Sequence, residues 1–480
     1  MSKLNVEPRT IFCKDNIDVL TGINSQTIDL IYLDPPFNKK KIFTAPIGSA
    51  AEGAEFSDIF RQEDIKDEWV KSIEYENPEL FNFLNHTKYD GISYNYCYLV
   101  YMSIRLLECH RILKNTGSIY LHCDPTMSHY LKVVMDCIFK EKNFRNEIVW
   151  KRQTAKKGSQ YTKKTYGTST DIILFYSKSD QWFFTIPKTE LEQDVFDQKF
   201  NKTDADGRKF RLDRITLPKS MKRINLVYEY NNYIPEYGWM VNKEKLQQMD
   251  KEGRIYWGES GRPYRKYFAD EYDGQEVNNI WTDITIASGK ESVGYPTQKP
   301  IKLLERIISA SSKVGDVVLD PFCGCATTCV AAEKLDRNWI GIDVSYKAYE
   351  LVKKRIENEI PQTLNLFKGE PIFKTKVPQR GVDEIKELGN VYIISNVAFK
   401  GVYKVGIAKN VKSRLNSYQT SDPHRNYVLE YSIETPYFKE IERHIHTKFK
   451  CSQQGDYEWV FVENWQDIKA DIEEFINKNC

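Results

Sequence analysis

A carboxylate, a rigid backbone and an aromatic ring occur in four consecutive residues, Asp34, Pro35, Pro36 and Phe37. Two consecutive prolines cannot continue a central strand, so they predict a rigid loop. The Asp34 carboxylate and the Pro35 backbone carbonyl could accept both hydrogens of an exocyclic base amine, whose lone pair is otherwise delocalised into the ring. The Phe37 ring could stack on that base. The tetrapeptide thus predicts activation of a base amine, with a purely structural Pro-Pro turn as the alternative.

The element that must position this tetrapeptide is the apolar run directly before it, Ile28–Leu33. A short, largely apolar run of this kind predicts a buried strand of a parallel sheet. In open α/β sheets, ligands bind at the carboxyl ends of the strands. The tetrapeptide is therefore expected at the ligand-binding edge of such a sheet.

A second candidate site lies far along the chain, in residues 315–343. The pattern predicts a turn, a buried strand, a loop of small residues, a helix over 328–335 and a second strand that ends in Asp343. This is the nucleotide-binding βαβ arrangement, in which the terminal acid binds ribose hydroxyls. Ala326 stands where a glycine is commoner, and alanine still permits close packing of helix on strand. A dinucleotide oxidoreductase competes for this half, but it does not explain Asp34-Pro35-Pro36-Phe37.

Three further segments, 117–122, 146–150 and 295–300, lie between or beside these two sites. In this order, the set resembles the beta-class DNA amino-methyltransferases, especially the modification subunits of type III restriction systems, over residues 11–355. The resemblance implies a Rossmann-like α/β methyltransferase sheet, S-adenosyl-L-methionine as cofactor and flipping of the target base out of double-stranded DNA. Related Pro-Pro loops also serve RNA and protein substrates, which stay open as alternatives.

The same resemblance implies roles for individual residues. Lys299 would bind the carboxylate of the cofactor, and Asp15 would lie near its adenine, although both could be plain surface charges. The positions that match the cofactor loop and its flanks are Asp320, Phe322, Gly324 and Asp343. Aspartate rather than serine before Pro-Pro resembles the adenine-modifying members, so the resemblance favours N6 of adenine over N4 of cytosine.

The middle of the chain, residues 151–290, is predicted to be an inserted target-recognition region between the catalytic part (1–150) and the cofactor-binding part (291–365). It opens with a basic stretch, which predicts a phosphate-facing surface or, as readily, a solvated basic face. That stretch contains Lys151, Arg152, Lys156, Lys157, Lys163 and Lys164, with only Asp171 nearby to oppose them. Arginine can read guanine and lysine can neutralise phosphate, which fits recognition of DNA.

After a linker at 366–385, residues 386–480 predict a small α+β domain. Two short apolar runs predict a hairpin, and Asn410 predicts the cap of a helix that carries Arg414. Further on, Glu442 and His446 are four residues apart and share a helix face.

This domain resembles the GIY-YIG nuclease superfamily. The resemblance implies that Tyr392 orients water, Arg414 stabilises phosphate charge and Glu442 binds Mg²⁺. The signature departs from the superfamily, since Lys404 replaces its second tyrosine. A domain that only binds DNA is therefore the alternative to a nuclease.

The overall composition sets the remaining expectations. A length of 480 residues predicts two or three domains. With 41% hydrophobic and 28% charged residues and no long apolar run, the sequence predicts a globular protein without membrane contact. The chain start lacks a signal-peptide pattern and the ten cysteines are scattered, which predicts thiols in the cytoplasm. A homodimer and a separate restriction subunit are both open as partners.

Overall fold

A mixed β-sheet carries both predicted sites in the computed structural model, which describes residues 3–88, 93–152, 164, 166–360, 369–381, 388–449 and 459–479. The strands in these ranges are β1 Thr10–Cys13, β2 Ile28–Leu33, β3 Lys41–Thr44, β4 Glu55–Asp58, β5 Leu113–Cys123, β6 Phe144–Lys151, β7 Thr170–Ser177, β8 Lys188–Thr189, β9 Lys202–Thr203, β10 Lys209–Arg214, β11 Ile255–Trp257, β12 Pro263–Phe268, β13 Gln275–Glu276, β14 Ile280–Trp281, β15 Val317–Asp320, β16 Asn338–Asp343, β17 Ile372–Lys374, β18 Gly389–Asn396, β19 Val402–Ala408, β20 Tyr427–Thr435 and β21 Trp459–Phe461.

The α-helices in the same ranges are α1 Asn16–Gly22, α2 Asp67–Glu76, α3 Pro78–His86, α4 Tyr94–Ile112, α5 Ser128–Phe139, α6 Gln193–Lys199, α7 Lys243–Lys251, α8 Ile301–Ser311, α9 Thr327–Lys334, α10 Tyr346–Glu359, α11 Val411–Ser421, α12 Phe438–Lys448 and α13 Trp465–Asn479. Helix α4 packs against α1, α2 and α5, and its side chains are buried on nearly every side. Helix α9 packs on β15 and β16, as expected for the helix of a βαβ unit.

Nine of the described strands form the main sheet, in the order β14-β6-β7-β5-β2-β15-β16-β1-β17. Strand β7 runs antiparallel to both of its neighbours, and the other neighbouring pairs are parallel. Strands β2 and β15 pair directly, with Leu30 opposite Val318 and Ile31 opposite Leu319. The carboxyl ends of two strands that are far apart in sequence therefore lie side by side.

Residues Ile186–Asn278 form a compact unit of their own, distinct from the unit made of Met1–Thr185 and Asn279–Cys480. Its sheet has the order β11-β12-β10-β9, and its core contains Trp239, Leu246 and Ile255. This unit is narrower than the predicted range 151–290, because β7 and β14 extend the main sheet.

Basic side chains of the Ile186–Asn278 unit are partly paired with carboxylates. A guanidinium nitrogen of Arg208 lies 2.8 Å from a carboxylate oxygen of Asp270, and one of Arg265 lies 3.3 Å from Asp213. A phosphate that meets these arginines would have to compete with the carboxylates, or be bound beside them.

The C-terminal module, residues 389–479 where described, has a sheet of order β20-β18-β19-β21, and the predicted hairpin is its β18–β19 pair. Asn410 caps α11 by accepting the Ser413 backbone N–H at 2.9 Å. Its core includes a residue from outside the module, Tyr75 of α2, whose ring stacks on Phe438 at 5.2 Å and 6°. The module is therefore packed on the N-terminal part of the chain.

Two expectations concern features beyond the sheets. No helix in the described ranges is long and apolar enough to cross a membrane. Each described cysteine is a free thiol. Three predicted basic residues, Lys156, Lys157 and Lys163, lie outside the described residues, as do residues 366–368 and 382–385 of the predicted linker.

Candidate active site

One cavity of about 1000 Å³ opens at the carboxyl ends of β2, β15 and β16. All ten residues predicted for the methyltransferase site line it: Asp15, Asp34, Pro35, Pro36, Phe37, Lys299, Asp320, Phe322, Gly324 and Asp343. The direct pairing of β2 with β15 is what brings the two predicted halves together.

Asp34 is paired with Lys299 at the centre of this cavity. The ammonium nitrogen of Lys299 donates to an Asp34 carboxylate oxygen at 2.5 Å and to the backbone carbonyl of Thr297 at 3.3 Å. The same nitrogen lies 5.3 Å from the centre of the Phe37 ring. The resemblance implied a cofactor carboxylate as the partner of Lys299, with a plain surface charge as the alternative. In the structure, the charge of Lys299 balances the carboxylate of Asp34, which would bind the base amine.

Phe37 is backed by His122, which sequence reasoning did not single out. The two rings stack at 5.8 Å and 23°, and the His122 side chain is fully buried. Its Nε2 donates to Asp171 at 3.2 Å, so its Nδ1 accepts from the Tyr32 hydroxyl at 2.9 Å. Burial lowers the pKa of His122, which keeps the imidazole neutral beneath Phe37.

Asp171, the hydrogen-bond partner of His122, is held in place by a second residue, Arg152. Burial would raise the pKa of Asp171, but the hydrogen bond from His122 and the charges of Lys299 and Arg152 outweigh it and hold that pKa below its usual range. The guanidinium of Arg152, from the predicted basic stretch, lies 3.0 Å from Asp171. Arg152 therefore supports the floor of the cavity.

The cofactor half is braced by two carboxylates. Asp320 accepts the Phe322 backbone N–H at 3.0 Å and the Thr328 hydroxyl at 2.5 Å. Asp343, at the end of β16, accepts the backbone N–H groups of Gly324 at 2.9 Å and Ser345 at 2.8 Å. These bonds fix the loop between β15 and α9.

The loop conformation explains its small residues. Gly324 has φ of 48°, and a Cβ there would lie 3.0 Å from the Tyr295 ring. Ala326 has φ of 57°, a left-handed conformation that costs a residue with a side chain about 1 kcal/mol. Alanine at position 326 therefore has a conformational cost that glycine would not have. The expectation from sequence concerned only packing, since alanine still permits close contact of helix and strand. Gly324 therefore lets the Tyr295 ring pack closely on the loop, and this loop lines one cavity with Asp343 at the end of β16, an arrangement that fits a nucleoside-type cofactor.

Asp15 is held by a buried cation. The guanidinium of Arg105 lies 2.7 Å from Asp15 and donates at 2.5 Å to the side-chain oxygen of Asn16. That guanidinium also lies 3.4 Å from the centre of the Tyr101 ring. Asp15 further accepts the Ile17 backbone N–H at 3.2 Å and so caps α1. The carboxylate is therefore oriented at the cavity wall.

Burial raises the pKa of Asp320 to about 7, from 3.8. Between these values the folded protein binds a proton that the unfolded chain has released, so the free energy of unfolding falls as pH rises from about 4 to about 7. We expect Tm of the cofactor-free protein to fall less over this window in Asp320→Asn than in wild type. Calorimetry at several pH values measures this; equal slopes for the two proteins would contradict the assignment.

In the C-terminal module, three of the predicted residues converge. The guanidinium of Arg414 donates to the Tyr392 hydroxyl at 3.2 Å, which lies 3.0 Å from the Tyr418 hydroxyl. The Lys404 ammonium nitrogen lies 4.8 Å from the centre of the Tyr418 ring. Arg414 also forms an ion pair with Glu74 of α2, a partner that sequence did not indicate.

The other two predicted residues lie on α12. His446 donates from Nε2 to the Val405 backbone carbonyl at 2.9 Å, and Glu442 is half-buried one turn earlier. Within the ranges that the structure describes, no group of three or more His, Cys, Asp or Glu side chains could hold a metal ion. A cation at Glu442 would therefore need ligands other than such a group, for example water and DNA phosphate.

One cavity is faced by the carboxyl ends of the main sheet, the loop between β15 and α9, and the Asp34–Phe37 loop. This arrangement defines a Rossmann-like enzyme of the methyltransferase type. The chain belongs to the DNA methylase family N6_N4_Mtase, which its residues 28–354 match. The cofactor of this family is S-adenosyl-L-methionine. Residues 389–480 match the T5orf172 domain.

Three curated relatives show how far the similarity extends. Type II methyltransferase M.EcaI of Enterobacter cloacae is 33% identical over 275 residues, 56% of this chain and 60% of that protein. The type III restriction-modification enzyme StyLTI Mod subunit of Salmonella typhimurium is 27% identical over 341 residues, 67% of this chain and 49% of that protein. DNA adenine methyltransferase YhdJ of Escherichia coli is 24% identical over 351 residues, 73% and 83% of the two chains. The chain spans about half to three fifths of the length of the first two.

Proposed function

We propose that this protein transfers a methyl group from S-adenosyl-L-methionine to N6 of adenine in double-stranded DNA, as part of a restriction-modification system. The observation that carries the proposal is the position of Asp34, which lies with the cofactor loop in one cavity. Family membership supports DNA methylation as the reaction class. The relatives named as a type II methyltransferase and as a Mod subunit support the biological setting.

The residues around Asp34 suggest how the chain prepares the base. An Asp34 oxygen and the Pro35 carbonyl accept the amine hydrogens and aim the nitrogen lone pair into the cavity. Phe37, fixed against His122, offers a flat surface to the base. The cofactor, when bound, would supply an electrophilic methyl group and would keep the electron pair of the broken S–CH3 bond, leaving as the neutral thioether S-adenosyl-L-homocysteine. As the N–C bond forms, the amine becomes more acidic, and its surplus proton leaves along the hydrogen bond to Asp34.

Lys299 has a role on both sides of this reaction. It neutralises Asp34 before the base arrives, which offsets the cost of a partly buried carboxylate. Because its side chain is nearly buried within the cavity, it can also bind the carboxylate of the cofactor, as the sequence resemblance implies. We infer that both contacts use the same ammonium group.

The choice of adenine rests on Asp34 and on one relative. Aspartate before Pro-Pro favours adenine, and YhdJ is named as a DNA adenine methyltransferase. We expect DNA methylated by the purified protein to yield N6-methyl-2′-deoxyadenosine when it is digested to nucleosides and analysed by mass spectrometry. Unmethylated DNA incubated without cofactor is the control. N4-methylcytosine as the product would contradict the choice.

The C-terminal module supports a second candidate function, cleavage of DNA. The convergence of Tyr392 and Arg414 resembles the arrangement expected for a GIY-YIG-like site, and both side chains are buried in the described structure. A module that only adds DNA affinity is the competing proposal. The unit Ile186–Asn278 is proposed to read the target sequence.

A nicking assay separates the two roles of the module. With Mg²⁺ and supercoiled plasmid, we expect wild type to nick and Glu442→Ala to lose nicking, because the variant lacks the proposed cation ligand. Glu440→Ala, which removes an exposed carboxylate from the same helix, is the matched control. If neither wild type nor the control nicks any plasmid tested, cleavage by the module is contradicted and the competing proposal of a DNA-binding module stands.

A further inference from the structure

Asp58 lies directly behind the catalytic loop and binds three of its backbone groups. Its two carboxylate oxygens accept the backbone N–H of Phe37 at 3.2 Å, of Asn38 at 2.6 Å and of Lys39 at 2.9 Å. Its own backbone carbonyl accepts the N–H of Lys40 at 2.9 Å. One residue therefore binds the whole chain segment that leaves Phe37.

The bound segment has a backbone that does not form by default. Asn38 and Lys40 have φ of 59° and 58°, the left-handed region that side chains disfavour. Consecutive N–H groups in such a turn point to one side and form a concave anion site. The side chain of Asn38 donates to Asn95 of α4 at 3.0 Å, which fixes the turn from a second direction.

Asp58 reaches this position because of the hairpin that follows the loop. Strand β3 begins right after Lys40 and pairs antiparallel with β4, so that Asp58, the last residue of β4, lies opposite Lys41. Asp58 is 1% exposed. Burial raises its pKa, and the three backbone N–H groups oppose that rise. The buried carboxylate of Asp58 therefore has three backbone N–H groups as its hydrogen-bond donors.

We propose that Asp58 is a positioning residue of methyl transfer, which holds the backbone at 37–39 so that Asp34 and Phe37 face the cavity. The inference rests on the proposed function of the Asp34 loop. Asp58 lines the same cavity, and its proposed role is exerted through the three backbone N–H groups that it accepts, without a contact to the base or the methyl group. A displacement of about 1 Å at a reacting group costs about 100-fold in rate, so loss of these bonds falls on the chemical step.

The test compares Asp58→Asn and Asp58→Ala with Asp67→Asn, a matched change at an exposed aspartate at the start of α2. The measurement is the single-turnover rate of methyl transfer at saturating cofactor and DNA, per cofactor site titrated. We expect a fall of about 10-fold for Asp58→Asn, which keeps an acceptor oxygen, and of about 100-fold for Asp58→Ala. Cofactor affinity is expected to stay within about twofold of the control, since Asp58 does not touch the braced cofactor loop.

A role confined to folding would lower Tm and the titrated fraction of sites, and would leave the rate per site unchanged. A rate for Asp58→Asn equal to that of Asp67→Asn overturns the inference, as does a loss that is seen only when the cofactor is below saturation. If Asp58→Ala does not fold, Asp58→Asn decides the question alone. Failure of wild type to methylate DNA would instead remove the proposed function, and the two failures are thereby distinguished.

Discussion

Replacing Asp34 by alanine is expected to lower the rate of methyl transfer by about 100- to 1000-fold, the usual cost of removing one preorganised hydrogen-bonding group at a reacting centre. The variant loses the acceptor that orients the base amine. It also leaves Lys299 without the carboxylate that it contacts at 2.5 Å. The measurement is single-turnover transfer to DNA with saturating labelled cofactor.

Cofactor binding separates this effect from a general loss of structure. The Asp34→Ala protein should still bind S-adenosyl-L-methionine, because Asp343 and the Gly324 loop are fixed by bonds of their own. Asp18→Ala removes an exposed aspartate of α1 and is the control. An Asp34→Ala enzyme with near wild-type transfer would refute the role of this residue.

The second large effect is expected at Asp343, where alanine should weaken cofactor binding. The substitution removes the proposed partner of the ribose hydroxyls and also the acceptor of the Gly324 and Ser345 backbone N–H groups. Hydrogen bonds to a charged group contribute about 1.5–3 kcal/mol each, so loss of one ribose contact alone raises Kd by about 10- to 100-fold. Titration calorimetry with the cofactor measures the change.

Two further variants sharpen this experiment. Asp343→Asn keeps one acceptor oxygen and should lie between wild type and Asp343→Ala. Glu350→Gln, which alters a carboxylate on α10 that pairs with Lys347, should bind the cofactor as wild type does. A Kd for Asp343→Ala within about twofold of the Glu350→Gln value would show that Asp343 does not bind the cofactor.

Local patterns predicted three strands of the main sheet, which are β2, β15 and β16. The apolar run Ile28–Leu33 is β2 with the same bounds, and the helix expected over 328–335 is α9, Thr327–Lys334. Both are short segments whose burial is set by the residues themselves. The antiparallel β7 was placed with the recognition region instead, because its run Thr170–Ser177 is apolar but no local signal shows which sheet the strand joins.

Side-chain partnerships were harder to predict, because they join distant parts of the chain. Lys299 and Asp34 are 265 positions apart, and their pairing depends on β2 lying beside β15. His122 sits at the end of an apolar strand, where periodicity does not distinguish a buried ring that supports Phe37 from an ordinary core residue. The position of Asp58 depends on the register of the β3–β4 hairpin, which no short sequence motif predicts.

In the C-terminal module, too, local elements were predictable and long-range contacts were not. Its hairpin and capped helix followed from local signals, and both are present. The contact of Arg414 with Glu74, and of Phe438 with Tyr75, joins the module to a helix more than 300 residues earlier. No pattern within the last ninety or so residues contains that information.

Methylation-sensitive long-read sequencing tests the central claim most directly, that the Asp34 loop and the cofactor loop form one DNA-methylating site. DNA would be taken from cells that express wild type or Asp34→Ala. We predict N6-methyladenine in one recurring sequence context with wild type, and none in that context with Asp34→Ala. An absence of any methyl mark with wild type, or equal marks with the two proteins, would contradict the account.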